Sequence, residues 1–267
     1  MTQTRTAPFM SLQVKYTYCP VCKNDAFEPV ITASDNTVTK ESFTIAECGM
    51  CGLRFTLNAP NESAIHKYYQ SSAYISHSNT KRGIINLLYH GARFFTMMSK
   101  ERLVKKESKR QVGMLLDIGS GTGTFAHTME RAGWSVTGLE PDPDARALAV
   151  KKYNCDIYPS EDLFRLPAET YSVITMWHVL EHVPDLDFQI KELKRVLKPS
   201  GTLIIAVPNY KSFDAIHYGK FWAAYDVPRH LWHFSKVAME KLFTRENLKL
   251  KKYAISFMNW TFIGAKP

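Results

Sequence analysis

From Val112 onward the chain alternates short apolar runs with stretches in which apolar residues recur every three or four positions. Met114–Ile118, Ser135–Leu139, Cys155–Tyr158, Val173–Met176 and Leu203–Val207 have the length and apolar content of strands. Segments 124–132, 143–153 and 185–198 carry helical spacing. In the last, Leu186, Ile190, Leu193 and Leu197 form one stripe, and Pro199-Ser200-Gly201 stops it. Asp142 followed by Pro143 reads as a helix start, a capping side chain before a residue whose φ is already helical. Strand and helix in alternation predict an α/β fold with a doubly wound, Rossmann-like, mostly parallel sheet. Beyond it, 236–246 reads as a helix and 248–256 with 260–265 as a closing antiparallel pair, joined by Met258 and its neighbours.

The first 110 residues follow a different pattern. Pro60-Asn61-Glu62 opens a short helix ending near Tyr69, and a polar stretch with Tyr74 and His77 follows. A second helix then places Ile84, Leu88, Ala92, Phe95 and Met98 on one face. Ahead of both, large aliphatic side chains are few and four cysteines stand in two pairs, Cys19-Pro-Val-Cys22 and Cys48-Gly-Met-Cys51, 25 residues apart. A two-residue gap lets both sulfurs of a pair turn to one ion, and Gly49 and Gly52 ease the turn. Four thiolates with no open position make a structural zinc site. The spacer holds a short hairpin with Glu41–Glu47 as its return strand. Zinc binding, worth about 10–16 kcal/mol in small fingers, supplies stability that so small a core lacks. The rival chemistry for Cys-x-x-Cys is a redox dithiol; two pairs favour zinc on Cys19, Cys22, Cys48 and Cys51. The expected organisation is a zinc ribbon over 1–58, a helical connector over 59–110 and the α/β domain over 111–267.

Composition narrows the class without naming it. Of 267 residues 45% are apolar and 22% charged, which excludes disorder, collagen-like repeats and coiled coil as the main architecture. Apolar stretches fall far short of a membrane span, and the N-terminus has no charged start with a long apolar run, so a cytoplasmic protein is expected. The net charge of +9 is concentrated: nine Lys/Arg against Glu101 and Glu107 between Lys81 and Arg110 give a local +7. Such a helix attracts phosphates, nucleic acid or an anionic surface, or is simply the solvated outer face of an amphipathic element.

The chemistry begins where the first strand of the α/β domain runs into Leu116-Asp117-Ile118-Gly119-Ser120-Gly121-Thr122-Gly123 and then a helix. Glycines let the backbone turn tightly and approach a ligand, with helix-end N–H groups facing it. Twenty-one residues after Gly119 the second strand ends at Glu140, the place of an acid that binds ribose hydroxyls. The spacing is Gly-x-Gly-x-Gly rather than the dinucleotide Gly-x-Gly-x-x-Gly, and Asp117 would repel a pyrophosphate while suiting an ammonium. A ligand with a ribose and a cationic amino-acid tail is S-adenosylmethionine. On these residues 111–267 resembles a class I S-adenosylmethionine-dependent methyltransferase. The resemblance implies that Asp117, Gly119, Gly121 and Gly123 serve the methionine part, Glu140 the ribose, and Asp162 with Leu163 the adenine, Glu161 competing for that last role.

At the end of the fourth strand, Trp177-His178-Val179-Leu180-Glu181-His182-Val183-Pro184-Asp185 is similar to a segment of ubiquinone-biosynthesis O-methyltransferases. There acidic and His residues are associated with a divalent metal, and His178 departs from the pattern by replacing an acid. The alternative is that His178 lines the cofactor pocket while Glu181 and His182 make structural hydrogen bonds. The same residues match the His-x-x-Glu-His of zinc proteases, but Pro184 cuts short the helix that chemistry needs. No Asn-Pro-Pro-Tyr signature of base-amino methylation is present.

After the fifth strand, aromatic and His residues crowd a connection between Pro208 and Ser235. They read as a lid with Trp222, Tyr225 and Arg229 against the substrate and His230 as base, or as a loop packing its own aromatics. Catalytic candidates are therefore His230, His178 and His182. O-methylation of a small hydroxylated molecule is the first reading. C-methylation of a nucleotide-linked sugar, methylation of RNA by a zinc-ribbon enzyme, and a non-catalytic binding module follow in that order. Lone Cys155 reads as a small buried hydrophobe.

Overall fold

The computed structural model describes residues 13–69, 84–255 and 259–267. Tyr74, His77 and Met258 lie outside the described residues, as do the side chains of Ile84, Leu88 and Ala92. The ribbon comprises β1 (Phe27–Ser34), β2 (Ser42–Cys48) and β3 (Arg54–Thr56). Short α1 (Glu62–Ile65) and long α2 (Ile84–Glu107) follow. The α/β domain runs β4 (Met114–Ile118), α3 (Thr124–Arg131), β5 (Ser135–Leu139), α4 (Pro143–Tyr153), β6 (Ile157–Tyr158), β7 (Tyr171–Trp177), α5 (Leu186–Val196) and β8 (Leu197–Pro208). Then come α6 (Phe213–Tyr218), β9 (Trp232–His233), α7 (Lys236–Arg245), β10 (Lys249–Ile255) and β11 (Asn259–Ala265).

Seven strands form one sheet in the order β10-β11-β8-β7-β4-β5-β6, and β11 alone runs against the rest. The chain reverses direction of travel between β4 and β7, which opens a crevice at their carboxyl ends. Strand alternation sorts the core into two layers. Leu116, Ile118, Ile174, Met176, Leu203 and Ile205 face α5, where Leu186, Ile190 and Leu193 make three positions of the stripe expected from sequence; the fourth, Leu197, opens β8, so the helix ends at Val196, before Pro199-Ser200-Gly201. Leu115, Val136, Val173 and Ile204 face the other way, onto Phe125, Ala126 and Met129 of α3. Asp142 and Asp185 cap α4 and α5 by accepting N–H bonds from Asp144 and Phe188.

The ribbon is welded to the α/β domain. β9, from the aromatic connection after β8, pairs antiparallel with β3 and completes a β1-β2-β3-β9 sheet, with Phe55 opposite Trp232. Ribbon residues Val21, Leu53 and Phe55 share one buried cluster with Trp232, Phe234 and Leu242. Arg245 of α7 donates to the carbonyls of Pro20 (3.0 Å) and Val21 (2.6 Å), gripping the first cysteine turn. Shared burial holds the ribbon in place.

Candidate active site

The loop between β4 and α3 has three glycines with φ of 73°, 53° and 74° at 119, 121 and 123, a region costly to other residues. A Cβ on Gly119 would meet Val179 Cγ2 at 2.3 Å and one on Gly123 would meet the Ala149 Cβ at 2.8 Å. Those two are glycines for packing. Gly121 is different: a Cβ there would meet nothing within 4 Å, so its open face is where a ligand can lie against the backbone.

Two acids organise this loop. Asp117, 1% exposed, accepts from Thr175 Oγ1 (2.7 Å) and Ser120 Oγ (2.9 Å), and burial pushes its carboxyl up to about 6. It braces the loop from behind. Glu140 accepts the Gly121 N–H at 2.8 Å and the Asp142 N–H at 3.0 Å; burial raises it as well. Each carboxylate oxygen keeps a second lone pair for a hydroxyl donor. Nearby, Trp177 and Phe125 meet edge to face at 5.5 Å, and Lys100 Nζ of α2 lies over them at 4.6 and 5.8 Å. Open glycine and acid thus fit S-adenosylmethionine. Asp162 and Leu163 sit in the helical turn Ser160–Arg165 after β6, where Leu163 is buried and Asp162 pairs with Arg165 at 2.9 Å. Glu161, in the same turn, is exposed.

Beside Gly119, a histidine cluster surrounds one acid. His178 follows β7 with φ +60°, a left-handed backbone rare outside glycine. Its Nδ1 lies 3.3 Å from Oε1 of Glu181, whose side chain is fully buried and whose Oε2 has no partner. The Leu231 N–H donates to the Glu181 carbonyl (2.8 Å), which brings the insert over the strand end. His182 Nδ1 lies 3.1 Å from the Arg229 carbonyl, and His230 Nδ1 lies 2.8 Å from the Ala224 carbonyl. A carbonyl only accepts, so both Nδ1 atoms carry a proton, and in a neutral ring of this tautomer Nε2 is the acceptor. The two rings meet edge to face at 4.5 Å, and one donor atom from each of Glu181, His182 and His230 lies within 4.8 Å of the others. Burial drives His182 down to about 4, keeping it neutral. Burial alone would raise Glu181, but the hydrogen bond with His178, together with the surrounding imidazoles, holds the carboxyl below its usual value.

The aromatic insert departs from expectation. Trp222, Tyr225 and Arg229 are 3%, 3% and 1% exposed and pack on the ribbon hairpin rather than against an open pocket. Trp222 donates to Asp214 and Tyr225 accepts from Arg54. Arg229 spends its guanidinium on Asp226, Asp35 and the Tyr68 carbonyl. The exposed apolar side chains of this region are instead Phe213, Ile216, Tyr218 and Phe221. The basic segment is likewise elsewhere: Arg102, Lys106, Lys109 and Arg110 line a groove with Val112 and Trp134, at the amino ends of β4 and β5 and opposite the crevice.

In the ribbon, Cys19 and Cys51 sulfurs lie 3.6 Å apart and Cys22 and Cys48 sulfurs 3.5 Å apart. Thiolates about 2.3 Å from one zinc stand about 3.8 Å apart, so all four fit one ion with small adjustments. The hydrogen bond with Cys51 pulls Cys19 down to about 5.

Ser120, Thr175, Lys100 and Trp177 were not singled out as site residues by sequence. Thr175 alone left a signal, a hydroxyl inside the apolar run Val173–Met176.

A family model described as a methyltransferase domain matches residues 93–253, more than half of the chain, and the chain belongs to that family. Among similar proteins, the ubiquinone biosynthesis O-methyltransferase of Hydrogenovibrio crunogenus is 31% identical over 108 residues, 37% of this chain and 45% of its own length. That of Bradyrhizobium diazoefficiens is 29% identical over 133 residues, 45% and 51%. The chain thus spans about half the length of the curated relatives it matches. A SAM-dependent methyltransferase from Thermotoga maritima superposes with TM-score 0.51 at 21% identity, covering 68% of this chain and 97% of that one. The [4+2]-cyclase SpnF superposes with TM-score 0.53 at 16% identity, covering 63% and 80%. At such identities the likeness shows the fold, and a cyclase on it shows that chemistry must be argued from the site. Among the described residues no helix is long and apolar enough to cross a membrane.

Proposed function

We propose that the protein is an S-adenosylmethionine-dependent methyltransferase that methylates a hydroxyl oxygen of a small molecule, with His230 as general base. The observation that carries this reading is His230, its Nδ1 held by the Ala224 carbonyl, beside the buried, half-unpartnered Glu181 carboxylate just after β7, the neighbour of the strand that leads into the cofactor loop. S-adenosylmethionine supplies a methyl group on a sulfonium sulfur. A hydroxyl is a poor nucleophile until its proton leaves. His230 accepts that proton at Nε2, while Nδ1–H stays on the Ala224 carbonyl, and the Glu181 carboxylate stabilises the resulting imidazolium. His182 remains neutral and holds the insert through the Arg229 carbonyl. The O-methyltransferase names of the partial-length relatives agree with an oxygen acceptor.

A second reading is favoured by the orphaned Glu181 Oε2 and two acceptor imidazole nitrogens. Glu181, His182 and His230 are a donor set for a divalent cation, which would lower the acceptor hydroxyl's pKa. One experiment separates the two. With an acceptor found by product mass gain in a panel of hydroxylated metabolites and nucleotide sugars, His230→Ala lowers turnover by about 10²-fold or more and leaves S-adenosylhomocysteine affinity unchanged. Chelation mild enough to leave the ribbon's ion in place then has no effect. Full turnover in His230→Ala rejects both readings; loss of turnover on that chelation and in His182→Ala as well as in His230→Ala puts the cation in place of the base.

A further inference from the structure

The cysteine that sequence leaves as a small hydrophobe has two metal-ligating neighbours. Cys155, 3% exposed and just ahead of β6, has its sulfur 3.3 Å from Glu130 Oε2. His127 Nδ1 lies 3.8 Å from the same oxygen. His127 and Glu130 stand one turn apart on α3, and donor atoms of all three residues lie within 4.8 Å of one another. The His127 ring is stacked on Tyr153, centroids 4.6 Å apart at 18°, so its direction is set by packing. We propose that His127, Glu130 and Cys155 form a second metal site, for a thiophilic divalent transition ion such as zinc, distinct from the ribbon and from the crevice.

The geometry supports this. Sulfur, nitrogen and oxygen ligands of one tetrahedral zinc stand about 3.4–3.6 Å apart, and the observed 3.3 and 3.8 Å need shifts of a few tenths of an ångström. A thiolate with an imidazole and a carboxylate excludes magnesium and calcium, which take oxygen ligands. Cys155 closes the inner side, while His127 and Glu130 are about one-third exposed and His127 lines a groove of about 590 Å³. The fourth position therefore faces solvent, with Thr128, Arg131, Lys152 and Tyr153 also at the groove. Burial and the Glu130 carboxylate push the thiol up to about 12, so without an ion it stays protonated. On binding, the S–H bond breaks, sulfur bonds the ion, and the proton leaves to solvent; His127 binds as neutral imidazole. The Cys155 sulfur also lies 3.9 Å from the Gly123 carbonyl, so an ion here stands directly behind the glycine loop.

The test is cobalt stoichiometry on full-length protein stripped of metal and reloaded with Co²⁺. Wild type is expected to hold one equivalent more than Cys155→Ala and one more than His127→Ala, and the thiolate-to-cobalt absorption that survives in Cys48→Ser is expected to disappear when Cys155→Ala is added to it. His127 is about one-third exposed, so His127→Ala tests the site without opening the core. Cys48→Ser is expected to lose the ribbon's ion and keep this one, which separates the two centres. Equal cobalt content in wild type, Cys155→Ala and His127→Ala overturns the proposal.

Discussion

Arg229 distinguishes the structure's account from the one sequence suggests. Its guanidinium makes a fork to Asp226 at 2.6 and 3.0 Å, reaches Asp35 of the ribbon at 3.1 Å, and caps the Tyr68 carbonyl at 2.7 Å. Arg229 and Asp35 are 1% and 0% exposed. Removing one partner of a buried pair costs about 3–5 kcal/mol, because the other charge stays buried. Here Asp35 keeps backbone N–H bonds from Thr37, Val38 and Thr39 and the Thr39 hydroxyl, and Asp226 is a quarter exposed and can hydrate. Arg229→Met is therefore expected at the lower end, about 3 kcal/mol, or a fall of about 6–12 °C in melting temperature for a chain of this size. Differential scanning calorimetry measures it, and S-adenosylhomocysteine titration reports whether the crevice survives. A variant melting within about 1 °C of wild type refutes the structural role. If that variant also loses affinity for an acceptor alone, Arg229 belongs to the substrate after all.

Other outcomes follow from the same contacts. Purified protein should hold zinc on the ribbon, and Cys48→Ser should lose one equivalent by elemental analysis and melt lower, since Phe55, Trp232 and the cysteines share one core. Gly121→Ala should cost about 1 kcal/mol of backbone strain and weaken S-adenosylhomocysteine, because the new Cβ enters the open face; Gly123→Ala should mainly lower stability by striking Ala149. Folded His182 titrates at about 4 against an ordinary 6.5, so in that window only the unfolded chain takes up the proton. Stability should fall as pH drops from 6.5 to about 4, and His182→Gln should flatten that stretch of a urea-denaturation series.

Elements defined by neighbouring residues were legible in the sequence. The stripe of α5, the Asp142-Pro143 start and the five parallel strands follow from period and capping, which act over a turn or a strand. The glycine loop and Glu140 were legible for the same reason: their spacing is set by one strand–turn–helix unit. What sequence could not show is which surfaces meet across the fold. Thr175 braces Asp117 from 58 residues away, across the β4–β7 pairing. The density of aromatics after β8 was visible, but not its direction; β3 needed an antiparallel partner, and Trp232 and His233 supplied it. That pairing turns Trp222, Tyr225 and Arg229 inward onto the ribbon and leaves His230 beside Glu181. The ribbon's cysteine pairs were readable, whereas its weld to α7 through Arg245 depends on carbonyls that every sequence contains.

The most direct measurement is isothermal calorimetry with S-adenosylhomocysteine on wild type and Glu140→Ala. The account predicts one site per chain in wild type, and binding at least about tenfold weaker in Glu140→Ala, because the carboxylate proposed to meet the ribose also holds the Gly121 N–H. No binding heat with wild-type protein, or equal affinity in Glu140→Ala, would contradict it.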